Sequence, residues 1–423
     1  MANLMYNTRH MVKMRILLML LTFLVVGILG TLAFFWARGY RFNIQKGSIE
    51  PQGLLVAKSN PDGAELYING ELKSATNITL SLSPGNYDVK ITKSGYSEWS
   101  KRITIKKEEV SEVLANLYKT TLSLSSVTSE GSLNPSISQD LSKIAYIIPY
   151  SENSRENAGL WILENINLPL GFSRDPKRIT DGDLSLASWV WSPDSSEILL
   201  TTPRGNFLLP SGEFTPQTQV VNITQSKNEL LALWDQEANE KLIQDFKKLP
   251  KVLFALLSES SGDFVFSPDG NMLLYKHKGA AEVTIPQNLI APVPGASTQK
   301  EERIIKSNQT YIYDVKEDRN FLIDDNPDTS VIGHWTLDTR LPESQDGDFK
   351  RSLTWYPSSK HVILAEEGRV SIVDYDGTNK KTVYSGSYSA PYAFPTQSLD
   401  KILILTNLGS ADTIPNLYSL SIK

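Results

Sequence analysis

From residue 16 to residue 37 the chain reads ILLMLLTFLVVGILGTLAFFWA, 22 consecutive positions without a charge. As a helix this run rises about 33 Å, against a hydrocarbon core of about 30 Å. A signal peptide has a shorter apolar centre and small residues at its cleavage site, whereas this run closes on Phe34, Phe35 and Trp36. The reading is therefore an uncleaved transmembrane helix over 16–37 behind a cytoplasmic tail, 1–15, with Trp36, Arg38, Tyr40 and Arg41 at the far interface. Arg9, Lys13 and Arg15 before the span nearly balance Arg38, Arg41 and Lys46 after it, where only Glu50 offsets them. Charge alone barely orients the helix, and the N-terminus is placed inside because almost the whole chain follows one early anchor.

The 423 residues are enough for two or three domains. A net charge of -5, with Lys and Arg spread along the chain, argues against a phosphate backbone as partner, so nucleic acid is not expected. With no cysteine, disulfides, thiolate nucleophiles and cysteine-bound metals are excluded. Beyond the anchor the chain switches to short alternating strands separated by turn residues. Leu66 and Ile68 alternate before Asn69-Gly70, the strongest short hairpin signal, and Tyr87, Val89 and Ile91 alternate after Pro84-Gly85. The run Pro61-Asp62-Gly63-Ala64, then Asn69-Gly70, Pro84-Gly85, Tyr87 and Gly95-Tyr96, resembles a PEGA domain over 52–118, with Asp62 where the name-giving Glu would stand. The resemblance implies a small β-sandwich of prokaryotic envelope proteins, a binding or spacer module. Its marked residues are read as turn formers and core aromatics, with no ligand role.

Residues 120–423 carry an irregular repeat: an aromatic or aliphatic residue, a proline nearby, often Asp, then an aliphatic strand. Its copies are Leu133-Asn134-Pro135, Trp191-Ser192-Pro193-Asp194, Phe266-Ser267-Pro268-Asp269-Gly270, Trp355-Tyr356-Pro357 and Phe394-Pro395. Strand, turn and strand recurring this way is the signature of propeller blades, which must stack to bury their faces. The copies resemble the repeat of TolB-type β-propellers, which hints at protein partners, and five or six blades are expected. The expected fold class is mainly β: a transmembrane helix, a PEGA-type β-sandwich and a β-propeller. Two insertions interrupt the repeat. Apolar residues at spacings of three and four over 228–257, broken at Pro250, predict two short helices, and Pro292, Pro294 and Gly295 within 286–307 predict an exposed mobile loop.

The chain holds no G-x-S-x-G elbow, no H-E-x-x-H and no phosphate-binding or dinucleotide glycine motif. His10, His277, His334 and His361 are isolated from one another along the chain. Asp181 with Asp183, Asp324 with Asp325 and Asp328, and Asp374 with Asp376 are the carboxylates that catalysis or calcium could use, though each set lies in a turn context. Trp161, Trp189, Trp191, Trp234, Trp335 and Trp355 read as core before they read as a sugar platform. No catalytic, cofactor or metal site is assigned. The expected function is a membrane-tethered, non-catalytic binding or scaffold protein whose propeller loops meet protein or envelope polysaccharide on the outer side of the cytoplasmic membrane, with lipid contacted through the helix. The second reading is an envelope carbohydrate hydrolase with carboxylates in the propeller channel.

Overall fold

The computed structural model describes residues 2–37, 39–43, 48–152, 154–165, 175–332, 351–410 and 413–423. Arg38, Lys46, His334 and Trp335 lie outside the described residues, as do the side chains of Arg9, His10, Lys13 and Arg41. The chain divides into two compact units. One contains residues up to Ile91, Arg102–Asn116 and Pro294–Thr298; the other contains Thr92–Lys101, Leu117–Val293 and Gln299–Lys423.

The first unit opens with helix α1, Ala2–Ala37. Its part from Met14 to Ala37 is long and apolar enough to cross a membrane, and none of it is buried against protein. The hydroxyls of Thr22 and Thr31 donate to the carbonyls of Leu18 and Gly27 one turn back, so the span's own backbone satisfies these polar side chains. Two sheets follow. Gly53–Asn60 pairs antiparallel with Ile78–Leu82 and parallel with Val110–Asn116. The second sheet orders Glu71–Ala75, Glu65–Ile68, Gly85–Thr92 and Trp99–Ile105. Alternation places Leu55, Ala57, Leu66, Ile68, Val89, Ile91, Ile103 and Ile105 in the interior. Asn69 and Gly70 both have positive φ, 51° and 83°, which is the two-residue turn the sequence predicts. Gly53 must be glycine for a different reason: a Cβ there would lie 2.3 Å from the Lys106 carbonyl oxygen.

Among the described residues, the second unit is built from five larger sheets, antiparallel but for one strand, and a two-stranded sheet of Val283–Thr284 with Ile304–Ile305. Blade 1 holds Leu133–Ile137, Lys143–Ile148, Gly159–Glu164 and Lys177–Asp181; blade 2 holds Ser188–Trp191, Glu197–Thr202 and Gly205–Pro210. Blade 3 holds Ser261–Phe266, Met272–His277, Thr310–Asp314 and Arg319–Asp324. Blade 4 holds Ser352–Trp355, His361–Glu366, Arg369–Asp374 and Lys381–Ser385, with Ser330–Ile332 added in parallel to its first strand. Blade 5 takes Ala393–Pro395, Lys401–Thr406 and Asn416–Ser421 from the end of the chain and Ser123–Ser126 from the start of the unit, so one sheet joins both ends.

Central strands such as Lys143–Ile148 and His361–Glu366 are apolar on both faces because each face packs on a different neighbour. Ala145 and Ile147 join Trp189, Ile198 and Leu200 of blade 2, while Ile144 and Tyr146 join Phe394, Leu403 and Leu405 of blade 5. Met272 and Leu274 of blade 3 meet Leu353, Val362 and Leu364 of blade 4; Ile363 and Ala365 of blade 4 meet Ile402 and Ile404 of blade 5. Four sheet-to-sheet interfaces therefore link blades 1–2, 3–4, 4–5 and 5–1. Together with the shared sheet of blade 5 they give the β-propeller its ring.

The remaining faces, on blades 2 and 3, are covered by helices. The insertion forms α2, Lys227–Phe246, and α3, Lys251–Ser260, with Pro250 at the N-cap of α3. At 20 residues, α2 is longer than the short helix predicted. Trp234, Leu230, Leu231 and Ala238 of α2 pack on Leu199, Val190 and Leu208 of blade 2. Phe246 and Leu249, with Leu253 and Leu257 of α3, pack on Leu273, Tyr275, Tyr311 and Tyr313 of blade 3. The helix pair thus serves as a wedge between the two sheets. The other insertion is tied down within this unit: Ile285 and Ile305 are fully buried, Arg303 bonds Asp318 and the Pro286 carbonyl, and Asp318 accepts from the Leu289 N–H.

A wedge that replaces a sheet interface should respond to truncation as a core does. Leu257→Ala is expected to cost about 2–4 kcal/mol in chemical denaturation, as for a buried leucine, whereas Leu233→Ala on the exposed side of α2 should stay within about 0.5 kcal/mol.

Candidate functional site

Each blade begins with the same tight turn between its first two strands. In blades 1 to 5 the turns start at Ser138, Ser192, Ser267, Tyr356 and Thr396, whose N–H groups donate to the carbonyls of Lys143, Glu197, Met272, His361 and Lys401. The fourth turn residue is left-handed in every case: Leu141, Ser195, Gly270, Ser359 and Leu399, with φ between 58° and 68°. In blades 1 to 3 the first serine donates to the carboxylate two positions on, Asp140, Asp194 or Asp269, at 2.6 Å, and accepts the N–H that opens the next strand. Burial pushes these three carboxyls up, but the serine hydroxyls and backbone N–H groups outweigh it and hold all three below the usual carboxylate value.

This geometry corrects the repeat register read from the sequence. Pro193, Pro268 and Pro357 do occupy the second turn position. Pro135 and Pro395 instead sit within first strands, and Gln139 and Gln397 occupy the second turn position. Proline tolerates either place, since a first strand can begin or bulge at it. The signal that tracks the turn is the hydroxyl residue followed two positions later by Asp or Ser, as in Ser138-Gln139-Asp140 and Thr396-Gln397-Ser398.

The turns of blades 1, 3 and 5 gather around a cavity of about 520 Å³, which α2 closes on one side. Phe264, Val265, Phe266 and Trp355 supply its apolar lining; Asp140, Asp235, Asp245, Asp269, Asn239, Lys241 and Lys248 supply its polar rim. The Trp355 indole N–H donates to the Val265 carbonyl, which fixes the ring across blades 3 and 4. Of the repeat residues identified from the sequence, Phe266, Ser267, Pro268, Asp269, Gly270 and Trp355 line this cavity, whereas Trp191, Ser192, Pro193, Asp194, Pro357, Phe394 and Pro395 do not. The α2 contribution of Asp235, Asn239 and Asp245 is not singled out by the sequence, because polar residues between the apolar positions of a helix carry no mark of which of them line a cavity.

Of the candidate carboxylates, Asp325 and Asp328 are exposed, and the other five are engaged in the fold. Asp181 accepts the Gln217 N–H and Asp183 caps Ser185. Asp324, buried, holds Arg351 together with Glu366 and Thr329, a polar pin between blades 3 and 4. Asp374 and Asp376 share the Lys101 ammonium at 2.9 and 2.6 Å, and His361 Nε2 lies 3.3 Å from Asp374. Burial pushes Asp374 up, yet the His361 hydrogen bond and the Lys101 charge bring it down to about 2. His277 is fully buried between the Ala281 carbonyl and the Ser261 hydroxyl. Trp189 and Trp191 both donate to Ser136, and Trp234 and Trp355 are buried, so these four indoles are core. Trp161 is half-buried and donates to the Asn157 carbonyl. Among the described residues no group of three or more His, Asp and Glu side chains could hold a metal ion.

The first unit's strand pattern and turns have a counterpart among known families. Residues 52–121 match the family model of the PEGA domain. No curated protein matches the chain. Among solved structures, a TolB protein of Agrobacterium tumefaciens is similar at 13% identity over 69% of this chain and 78% of its own, with a TM-score of 0.22. The β-propeller domain of the trilobed protease of Pyrococcus furiosus is similar at 12% identity over 88% and 95%, TM-score 0.20. An oligogalacturonate lyase of Vibrio parahaemolyticus is similar at 10% identity over 88% and 90%, TM-score 0.22. None of these likenesses carries an activity to this chain, and the propeller rests on the strand pairing described above.

Asp374 gives a signed pH prediction. Its folded value lies below its unfolded value, so its contribution is complete above about pH 4 and is lost as pH falls through about 2. Asp374→Asn should cost about 2–4 kcal/mol at pH 7, and its deficit against the unaltered chain, followed by thermal unfolding, should shrink steadily between pH 4 and pH 2.

Proposed function

We propose that the chain is a membrane-tethered, non-catalytic binding protein, with α1 as the tether, the N-terminus inside, and the propeller cavity as its contact site on the outer face of the cytoplasmic membrane. The observation that carries this reading is the cavity itself. Its volume lies in the range of sites that take a small group or a side chain, and it combines an apolar floor with polar groups converging from four elements. The wall that distinguishes it is an inserted helix, α2, and such an insertion varies recognition while leaving the blades unchanged. The PEGA match over 52–121 supports a spacer or binding role in a cell envelope. The engagement of Asp181, Asp324, Asp374 and Asp376 in turns and ion pairs favours binding over hydrolysis.

The test is retention of envelope components by the fragment Gln52–Lys423, with extract separated into protein and polysaccharide fractions. Wild type should retain a component that Asn239→Trp, which fills the cavity from α2, does not, with the thermal midpoint of the variant unchanged. Equal retention by both would move the contact site elsewhere on the propeller. Shortening of a polysaccharide during incubation would replace the binding reading with the hydrolase reading.

A further inference from the structure

The cavity rim is unbalanced in charge: four carboxylates, Asp140, Asp235, Asp245 and Asp269, face two ammonium groups, Lys241 and Lys248. One of those ammoniums is already seated as a guest would be. Lys248 Nζ lies 2.7 Å from Asp245 and 5.8 Å from the centre of the Phe266 ring, between a carboxylate and an aromatic face. It also lies over the blade 3 turn, where a Cβ on Gly270 would approach it to 2.7 Å. The seat is shallowly held, since the side chains of Lys248 and Asp245 are 48% and 28% exposed, and ion pairs of that exposure exchange readily.

We propose that the cavity receives the cationic end of an arginine or lysine side chain from a protein partner, and that Lys248 fills this seat until the partner displaces it. The inference rests on the reading of the cavity as the binding site and names what that site recognises. The floor supports a side chain over a sugar. Trp355 is only 2% exposed and offers no open indole face for a sugar ring to stack on, while Phe264 and Phe266, half-buried, suit the methylene stem of a long basic side chain. A guanidinium entering here exchanges an intramolecular ammonium for an intermolecular cation, so the Asp245 carboxylate stays paired throughout and Lys248 swings into water.

The test uses the full chain in detergent micelles and calorimetric binding of four probes: N-acetyl-arginine methylamide, its lysine counterpart, the isosteric but neutral citrulline counterpart, and a glucosamine trimer. The arginine probe should bind about tenfold tighter than the citrulline probe, a difference of about 1.4 kcal/mol, and should weaken with added salt. Lys248→Met should tighten arginine binding about fivefold by removing the internal competitor, an effect a merely structural lysine would not produce. Asp235→Asn with Asp245→Asn, both on the surface of α2, should weaken it about tenfold without moving the thermal midpoint. Equal binding of arginine and citrulline probes, or unchanged or weaker arginine binding by Lys248→Met, would overturn the proposal. Preference for the glucosamine trimer would overturn the protein side chain as guest. If no probe binds while retention of an envelope component stays sensitive to Asn239→Trp, the cationic seat is wrong and the binding cavity stands.

Discussion

Burial of both faces of every blade is the constraint on which the second unit depends. Strands such as Lys143–Ile148, Met272–His277 and Lys401–Thr406 have no face that water can cover, because nearly every residue along them is apolar and buried. Each fully buried Leu or Ile there is worth roughly 1.5–3 kcal/mol, and a face left open would forfeit several at once. Such sheets can only be stacked, and a closed series of them is the arrangement that leaves no face uncovered. The pairing of Ser123–Ser126 with Asn416–Ser421 joins the ends of that series by backbone hydrogen bonds.

The same constraint explains the helices. Blade 2 turns Leu199 and Val190 away from blade 1, and blade 3 turns Leu273, Tyr275 and Tyr311 away from blade 4. These two faces cannot be left to solvent, and α2 with α3 covers both. A helix surface is rounder and more polar on its far side than a sheet, so this covering leaves space beside the blade turns and lines it with Asp235, Asn239, Lys241 and Asp245. One helix thus serves both purposes: Trp234 and Phe246 hold the ring, while Asp235, Asn239, Lys241 and Asp245 shape the cavity.

Polar groups in this unit mostly set geometry. The serine–aspartate turns fix the left-handed residue that reverses the chain in blades 1 to 3, and the Arg351–Asp324–Glu366 and Lys101–Asp374–Asp376 clusters are buried charges that persist because each is paired. Clustered aspartates in turn-rich sequence are therefore a poor guide to catalysis here: Asp324 and Asp374 look like candidates along the chain, and in space each is occupied by a neighbouring cation.

Much of the architecture was legible because it is written in local periodicity. The charge-free run of α1, the Asn69-Gly70 hairpin, the alternation of Leu66 with Ile68, and the break at Pro250 all act within a few residues, where sterics and side-chain direction decide the outcome. The blade repeat was legible in kind but not in register at Pro135 and Pro395, since proline punctuates strands and turns alike. By itself, then, the sequence determined an apolar helix, a small alternating β-unit and a chain of sheets too apolar to stand alone. Only the tertiary structure decided which turns meet, that a helix pair takes the place of a fifth sheet interface, and that Lys248 rests against Asp245 and Phe266 of blade 3. Those outcomes depend on packing between segments far apart in the chain, where the surface left uncovered by one element selects its partner, and no local pattern records that choice.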